Sequence, residues 1–134
     1  MIQVELSKII IDEKRQDQII VLKEKEGGRQ FPIVIGFLEA SSIKMKLSGI
    51  EPPRPMTHDL LISVIKTFNA QVDKLIIDQL IDNTFHAKLE LKTAVGEIRR
   101  VDCRPSDGIA LAVRSNAAIF VEEEVLQKAS FLKS

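Results

Sequence analysis

Residues 84–92 read Thr-Phe-His-Ala-Lys-Leu-Glu-Leu-Lys, a strict alternation of polar and apolar side chains. A period of two is typical of a strand with one face in the core and the other in water. Asp82-Asn83 just before it is a turn signal, and the apolar residues of 71–81 predict a strand before that turn. The second half of the chain is therefore expected to begin with an antiparallel hairpin.

Strand patterns extend outward from this hairpin in both directions. Gly27-Gly28 is a hairpin signal between two apolar segments, and the polar residues 12–17 predict another turn. A strand is expected to end near Cys103. The remaining strands are predicted at residues 2–11, 18–25, 30–35 and 118–121.

Between the strands, the apolar spacing lengthens to that of helices. One helix is predicted to stop at Ser48-Gly49, with an apolar stripe of Phe37, Ala40, Ile43 and Leu47. A second is predicted to begin near Thr57, a good N-cap residue, with a buried stripe of Leu61, Val64, Ile65 and Phe68. A short helix over 108–114 and a terminal helix opened by the acidic run 122–124 complete the pattern.

The order of these elements predicts an α+β fold. Strands joined by hairpins, with helices in separate blocks, favour a mostly antiparallel sheet. Three strands precede helices in each half, which indicates an internal duplication with halves of about residues 1–70 and 71–134. No segment has the composition of a linker, so residues 1–134 are predicted to form a single domain.

The composition excludes several classes of protein. Nineteen basic and nineteen acidic residues balance to a net charge of zero, and 45% of the 134 residues are hydrophobic. A disordered chain would have fewer apolar residues, and the apolar runs are too short to span a membrane. A broad basic surface for nucleic acid is excluded, and without Trp or Tyr a stacking platform for single strands is not expected.

Cysteine usage and the first residues bear on location. Cys103 is the single cysteine, so an intrachain disulfide is excluded. The first residues show no basic segment followed by an apolar one, so no secretory signal is expected. These features predict a cytoplasmic protein in a reducing compartment.

Two similar motifs stand at predicted helix entrances: Arg54-Pro-Met-Thr-His-Asp59 and Arg104-Pro-Ser-Asp107. A helix N-terminus offers free N–H groups, and an adjacent Arg adds a fork of donors that suits phosphate. Arg54 and Arg104 are therefore candidates to bind a substrate phosphate, with Thr57 and Ser106 orienting it. A structural alternative is that Thr57 and Ser106 cap helices while each Arg pairs with a neighbouring Asp.

Four carboxylates are candidates for metal binding or proton transfer: Glu39, Asp59, Asp102 and Asp107. Phosphodiester hydrolysis commonly uses carboxylate-bound Mg²⁺ or Mn²⁺, and Glu39, Asp59 and Asp107 are the predicted ligands. His58, beside Asp59, is the candidate general acid or base. Structural alternatives are a helix-dipole role for Glu39 and an ion pair for Asp102.

Cys103 is a weak candidate for a nucleophile. Arg104 beside it would favour the thiolate, but no histidine stands in a convincing partner position. A single cysteine at the end of a strand is more often a small buried hydrophobe. No zinc-binding His/Cys spacing is present either, because the two histidines are dispersed.

Five motifs, taken in order, resemble the bifunctional nuclease domain family. They are Phe31-Pro-Ile-Val-Ile-Gly36, Glu39-Ala40, Arg54-Pro-Met-Thr-His-Asp-Leu-Leu61, Asp82-Asn-Thr-Phe85-His-Ala87 and Val101-Asp-Cys-Arg-Pro-Ser-Asp-Gly-Ile-Ala-Leu-Ala112. The resemblance implies a nuclease for DNA and RNA, with duplicated strand–helix units around a curved, barrel-like sheet. The sequence departs from the family pattern at Gly108, where Ala is usual, and at Cys103, where a small residue such as Ala is usual.

Two functions follow as hypotheses. The first is a nuclease, a hydrolase of DNA or RNA phosphodiester bonds assisted by a divalent ion. The alternative is a non-catalytic, oligomeric module that recognises a phosphorylated ligand or a protein partner, which the neutral charge favours. Self-association through a strand edge or an apolar helix face near Phe120 and Phe131 is also predicted.

Overall fold

Residues 1–12, 14 and 17–133 are described by a computed structural model, with side chains described as far as residue 129. This part of the chain forms seven strands and four helices. Their bounds are β1 Ile2–Ile10, β2 Asp17–Glu24, β3 Gln30–Gly36, α1 Phe37–Leu47, α2 Thr57–Thr67, β4 Gln71–Ile81, β5 Thr84–Lys92, β6 Ile98–Cys103, α3 Pro105–Ser115, β7 Ala118–Val121 and α4 Glu123–Lys133.

The seven strands form one curled sheet in the order β3-β2-β1-β7-β4-β5-β6. The pair β4–β7 is parallel, and the other neighbouring pairs are antiparallel. β7 lies between β1 and β4, so it joins the strands of the first half to those of the second. The predicted α+β class with a curved, mostly antiparallel sheet is confirmed, and the division into one domain of two related halves stays a prediction.

The predicted hairpins are present. Asp82 and Asn83 have φ of 49° and 63°, the left-handed conformation that a tight two-residue turn between β4 and β5 requires. β2 and β3 pair antiparallel around the loop that contains Gly27-Gly28. The turn predicted at 12–17 includes residues 13, 15 and 16, which lie outside the described residues.

The core lies between the curled sheet and the helices. The largest fully buried side chains come from both halves and include Phe31, Ile20, Leu22, Ile43, Leu75, Ile77, Ile109 and Leu126. The rings of Phe31 on β3 and Phe85 on β5 are 5.7 Å apart, although four strands separate β3 from β5 in the sheet order. The curl therefore brings the first and second halves together across the core.

The prediction for the buried face of α2 is wrong. Leu61, Val64 and Phe68 are exposed, and Ile65 is only half-buried. The inward face is instead made by His58, Ile62 and Ile65, which are spaced i, i+4 and i+7. Hydrogen bonds that anchor His58 between α1 and α3 fix this rotation.

The third helix begins earlier than predicted. It starts at Pro105 rather than Gly108, because a proline is well suited to the first helical position, where its missing N–H leaves no bond unmade. Gly108 therefore lies inside α3, against the core. A Cβ at this position would overlap Leu75 Cδ1 and lie 3.1 Å from Cys103 Sγ. The Sγ of Cys103 thus occupies space beside a glycine.

We expect Gly108→Ala to lower the free energy of unfolding by about 1–3 kcal/mol, because overpacking a buried site outweighs the better helix propensity of alanine. Chemical denaturation measures the change. The double variant Cys103→Ala/Gly108→Ala is expected to recover part of the loss, since it removes one of the two contacts. A Gly108→Ala protein as stable as the wild type would contradict this description of the packing.

Candidate functional site

The N-termini of α1 and α3 lie close together, and Arg104 stands between them. Gly36 is the N-cap of α1 and Arg104 is the N-cap of α3, and neither provides a side-chain cap. The Arg104 guanidinium is 2.9 Å from Asp107 Oδ2 in the first turn of α3 and 3.7 Å from Glu39 Oε2 in the first turn of α1. Arg104 therefore bridges the two helix entrances.

A cleft of about 410 Å³ opens beside this arginine. Its walls come from the end of β3, the β4–β5 turn and the start of α3, and include Gly36, Thr84, Arg104 and Ser106. The Arg104 side chain is 69% exposed, although Asp107 holds it through two hydrogen bonds. The cleft thus combines a positioned, accessible cation with two helix N-termini, which is the chemistry that binds phosphate.

A chain of hydrogen bonds runs behind Arg104 into the protein. Asp107 Oδ1 is 3.0 Å from His58 Nε2, and His58 Nδ1 is 2.8 Å from Ser42 Oγ. Ser42 and His58 are buried. The chain links α3 through α2 to α1, so it holds Asp107, and with it Arg104, in a fixed place.

Asp107 determines the direction of these hydrogen bonds. Its ionised carboxylate can only accept, so the hydrogen between the two side chains is on His58 Nε2 and is donated to Asp107. In a neutral imidazole, Nδ1 then accepts from the hydroxyl of Ser42, whose oxygen in turn accepts from the Arg114 guanidinium over 2.9 Å. A serine, a histidine and an aspartate in line resemble a nucleophilic triad, but Ser42 is enclosed and already bonded to an arginine. The group is a positioning network.

Asp59 belongs to the same network through Arg114. Arg114 Nε donates to Asp59 Oδ1 over 2.8 Å, and the backbone N–H of Met56 donates to Oδ2 over 3.0 Å. Arg114 also donates to the carbonyl of Ala110, and its side chain is only 7% exposed. Both oxygens of Asp59 are therefore occupied in fixing the start of α2 against α3.

The two aspartates have pKa values below the ordinary range. The hydrogen bond from Arg114 is the main cause for Asp59, and the Met56 N–H adds to it. For Asp107, burial by itself raises the pKa, but hydrogen bonds from His58 and Arg104 and the charge of Arg104 together outweigh it. Both carboxylates are ionised at neutral pH.

These shifts predict a loss of stability in acid. A carboxylate whose pKa is depressed by folding stabilises the native state above its unfolded pKa of about 4, and this contribution disappears as the pH falls through the lower folded value. We expect the free energy of unfolding to fall below about pH 4. Asp59→Asn should show a shallower decline in the same denaturation series. An equal slope in the variant would show that Asp59 is not linked to folding.

The structure brings together five of the residues predicted for the site: Glu39, His58, Asp59, Arg104 and Asp107. Ser106 is buried and lines the cleft. The Glu39 carboxylate folds back over Gly36, where a Cβ would overlap it. This geometry places Glu39 beside the α1 N-terminus as well as beside Arg104.

Three predicted residues lie elsewhere. Arg54 is exposed in the loop before α2. Thr57 was predicted to be the N-cap of α2, and this prediction is wrong. Met56 occupies the cap position, where its N–H donates to Asp59, and Thr57 is the exposed first residue of the helix. Asp102 is 76% exposed on β6 and pairs with Lys88 over 3.2 Å. None of the three takes part in the contacts around Arg104.

Ser42 and Arg114 belong to the network but were not predicted from the sequence. Ser42 is three residues after Glu39, on the same side of α1, and Arg114 is seven residues after Asp107, on the same side of α3. These helical spacings were the available signal. No local motif marks either residue, since their partners are on other helices.

The predicted metal ligands are engaged with arginines. In the described part of the chain, no three His, Cys, Asp or Glu side chains are placed to hold an ion. Glu39 and Asp107 flank Arg104, and Asp59 pairs with Arg114. The protein alone therefore has no ready-made ligand set at these residues, and Mg²⁺ or Mn²⁺ stays a prediction.

The thiol of Cys103 is unsuited to nucleophilic attack. Burial is the main reason that its pKa is raised to about 11, and the nearby charges of Asp107 and Asp102 add to the effect. The thiolate, which is the reactive form, is therefore scarce at neutral pH. This agrees with the expectation that Cys103 acts as a small hydrophobe.

No helix among the described residues is long and apolar enough to cross a membrane.

Comparison with known proteins places these features in a family. Two uncharacterized proteins, from two strains of Mycobacterium tuberculosis, are each 36% identical to the chain over 130 residues, which is 97% of this chain and 77% of theirs. The family model of the bifunctional nuclease domain matches residues 20–134, a span that includes the whole network around Arg104. The chain therefore belongs to the bifunctional nuclease domain family.

Proposed function

We propose that the protein is a nuclease that hydrolyses phosphodiester bonds of DNA or RNA and binds the scissile phosphate at Arg104. The observation that carries this proposal is the exposed guanidinium of Arg104 at the joined N-termini of α1 and α3, above an open cleft. Family membership supports the same reaction class.

In this proposal Arg104 and the free N–H groups of the two helices bind the phosphate oxygens. Negative charge grows on these oxygens as water attacks phosphorus, so fixed donors aimed at them stabilise the transition state more than the ground state. Asp107 orients Arg104, and His58 holds Asp107. His58 is thus a positioning residue, since it is buried away from the cleft.

Glu39 is the proposed general base. Its carboxylate is 3.7 Å from Arg104, a longer separation than the 2.9 Å between Arg104 and Asp107. A phosphate bound to Arg104 would draw the guanidinium away from Glu39 and leave a carboxylate beside the phosphorus. That carboxylate would accept a proton from the attacking water while the P–O bond to the departing sugar oxygen breaks, and this oxygen would take its proton from solvent in the open cleft.

A divalent ion is a further part of the proposal. Mg²⁺ is often held by one or two carboxylates together with substrate phosphate oxygens. Glu39 and Asp107 are the two predicted ligands that flank Arg104. An ion bound there would polarise the phosphate. Asp59 is committed to Arg114, and Asp102 lies on β6, so neither is proposed as a ligand.

The direct test is cleavage by purified protein of single-stranded DNA, double-stranded DNA and RNA, each with Mg²⁺, Mn²⁺ or EDTA. Cleavage that coelutes with the protein is expected on at least one substrate. Activity in Mg²⁺ or Mn²⁺ that EDTA removes would support the ion, whereas equal activity in EDTA would remove the ion from the proposal. If the protein cleaves none of the three substrates, the proposed nuclease activity is overturned.

A second candidate function is a module that binds a phosphorylated ligand without cleaving it. Both oxygens of Asp107 already accept hydrogen bonds, which favours a holding role over proton transfer. The neutral charge and the absence of Trp and Tyr also fit a small ligand better than a long nucleic acid. Calorimetric binding of a mononucleotide, with no turnover of DNA or RNA, would support this alternative.

The proposed location is the cytoplasm. A reducing compartment suits a chain whose single cysteine cannot form an intrachain disulfide. Nucleic acid substrates are available there.

A further inference from the structure

Helix α2 is apolar on two sides, and only one of them is covered. Its inward side carries His58, Ile62 and Ile65. An adjacent stripe faces out and consists of Leu60, Leu61, Val64 and, at the helix C-cap, Phe68. Leu60 is 57% exposed and Phe68 is 78% exposed. A helix with apolar residues on so much of its circumference is typical of one that is buried on more than one side.

We propose that this outward stripe of α2 is the contact between two copies of the chain, with the two α2 helices antiparallel across a two-fold axis near Val64. Val64 lies midway between Leu60 and Phe68 in sequence. A two-fold axis at this point brings Leu60 of each copy against Phe68 of the other, so the stripe matches itself in shape.

The charges of α2 favour a second copy over other partners. Asp59 lies near the start of the helix and Lys66 near its end, so α2 has no net charge. Antiparallel pairing through the stripe also opposes the two helix dipoles, which is favourable. A membrane or a nucleic acid would instead select a basic excess, which this helix lacks.

The stripe continues beyond the end of α2. The residues after Phe68, Asn69 and Ala70, line a cleft with Thr93 and Ala94 of the β5–β6 turn, and Val95 in that turn is 80% exposed. A standard interface takes about 800 Å² from each partner. Three exposed side chains of α2, Phe68 at its C-cap and this turn supply an apolar centre for such an interface.

The surface proposed here differs from the one predicted from sequence. Phe120 is half-buried, and the ammonium of Lys74 lies 5.6 Å from its ring centroid. The Phe131 side chain lies outside the described residues. The outward stripe is therefore more exposed than Phe120, which is the residue of the predicted pair whose side chain the structure describes.

Sedimentation velocity of the full chain over the micromolar range tests the proposal. The wild type is expected to move from 15.0 kDa to twice that mass as concentration rises. Leu60→Asp and Val64→Asp should each weaken the dimer by about tenfold or more, because each puts a carboxylate into an apolar contact. Circular dichroism confirms that the variants are folded.

Leu47→Asp is the matched control, since Leu47 is an exposed leucine at the end of α1 and outside the stripe. It should leave the dimer unchanged. A wild type that is monomeric at every concentration would overturn the proposal, as would a dimer unaffected by both stripe variants. Binding of monomeric protein to phosphatidylserine vesicles that Leu60→Asp removes would assign the stripe to a membrane instead. Nuclease activity is not part of this test.

Discussion

Arg104→Ala is expected to lower the rate constant for phosphodiester cleavage by a factor of about 100 or more, because loss of one fixed donor to a developing oxyanion typically has this effect. The arginine is exposed to the cleft and held by Asp107, so its loss removes a phosphate ligand without opening the core. Single-turnover cleavage of a defined oligonucleotide measures the rate constant. The free energy of unfolding should change little.

Two variants control this experiment. Arg99→Ala removes an exposed arginine of β6 that pairs with Glu97, away from the cleft, and should retain wild-type cleavage. Arg104→Lys keeps the charge but loses the planar fork, so an intermediate rate is expected. Equal cleavage by wild type and Arg104→Ala would mean that the phosphate is bound elsewhere or that another nuclease copurifies.

Arg114→Ala is expected to lower the free energy of unfolding by about 3–5 kcal/mol, since removal of one partner of a buried ion pair leaves the other charge uncompensated. Arg114 is almost fully enclosed and donates to Asp59, Ser42 and Ala110. Chemical denaturation at pH 7 measures the loss. Where Arg114→Ala does not fold, the more conservative Arg114→Lys supplies a smaller but measurable value.

The same Arg99→Ala variant serves as a stability control, because an exposed ion pair contributes at most about 1 kcal/mol. Arg114→Ala should differ from it clearly. A loss of less than 1 kcal/mol in Arg114→Ala would contradict the view that the Ser42–His58–Asp107 chain depends on this arginine.

The strands were predictable because their signals are local. The alternation in 84–92 and the Asp82-Asn83 turn both arise from neighbouring residues, and β4 and β5 pair as expected. The position of β7 between β1 and β4 was not predictable in this way. The four residues of β7 do not indicate which strands they pair with, because that pairing depends on how the whole sheet curls.

The orientation of α2 shows a different limit. Leu61, Val64 and Phe68 have a helical period, but so do His58, Ile62 and Ile65. Periodicity identifies apolar stripes and does not tell which stripe meets the core. The hydrogen bonds of His58 to Ser42 on α1 and Asp107 on α3 determine which stripe of α2 faces the core.

In the candidate site as well, local contacts were predictable from sequence and contacts between distant segments were not. The pairing of Arg104 with Asp107 is local, and its motif at a helix entrance was predictable from sequence. The similar motif at Arg54 has two additional residues, so α2 begins three residues after Arg54, whereas α3 begins directly after Arg104. That difference in spacing separates Arg54 from a capping position. The partners of Asp59 and His58 come from distant parts of the chain.

The most direct test of the central claim, that a phosphodiester binds at Arg104 between α1 and α3, is an amide chemical-shift titration with a short phosphorothioate oligonucleotide. Shifts are predicted for the first-turn amides Phe37, Leu38, Ser106 and Asp107, and Arg104→Ala should abolish them. Shifts confined to β6 around Asp102, or equal binding by wild type and Arg104→Ala, would contradict the claim.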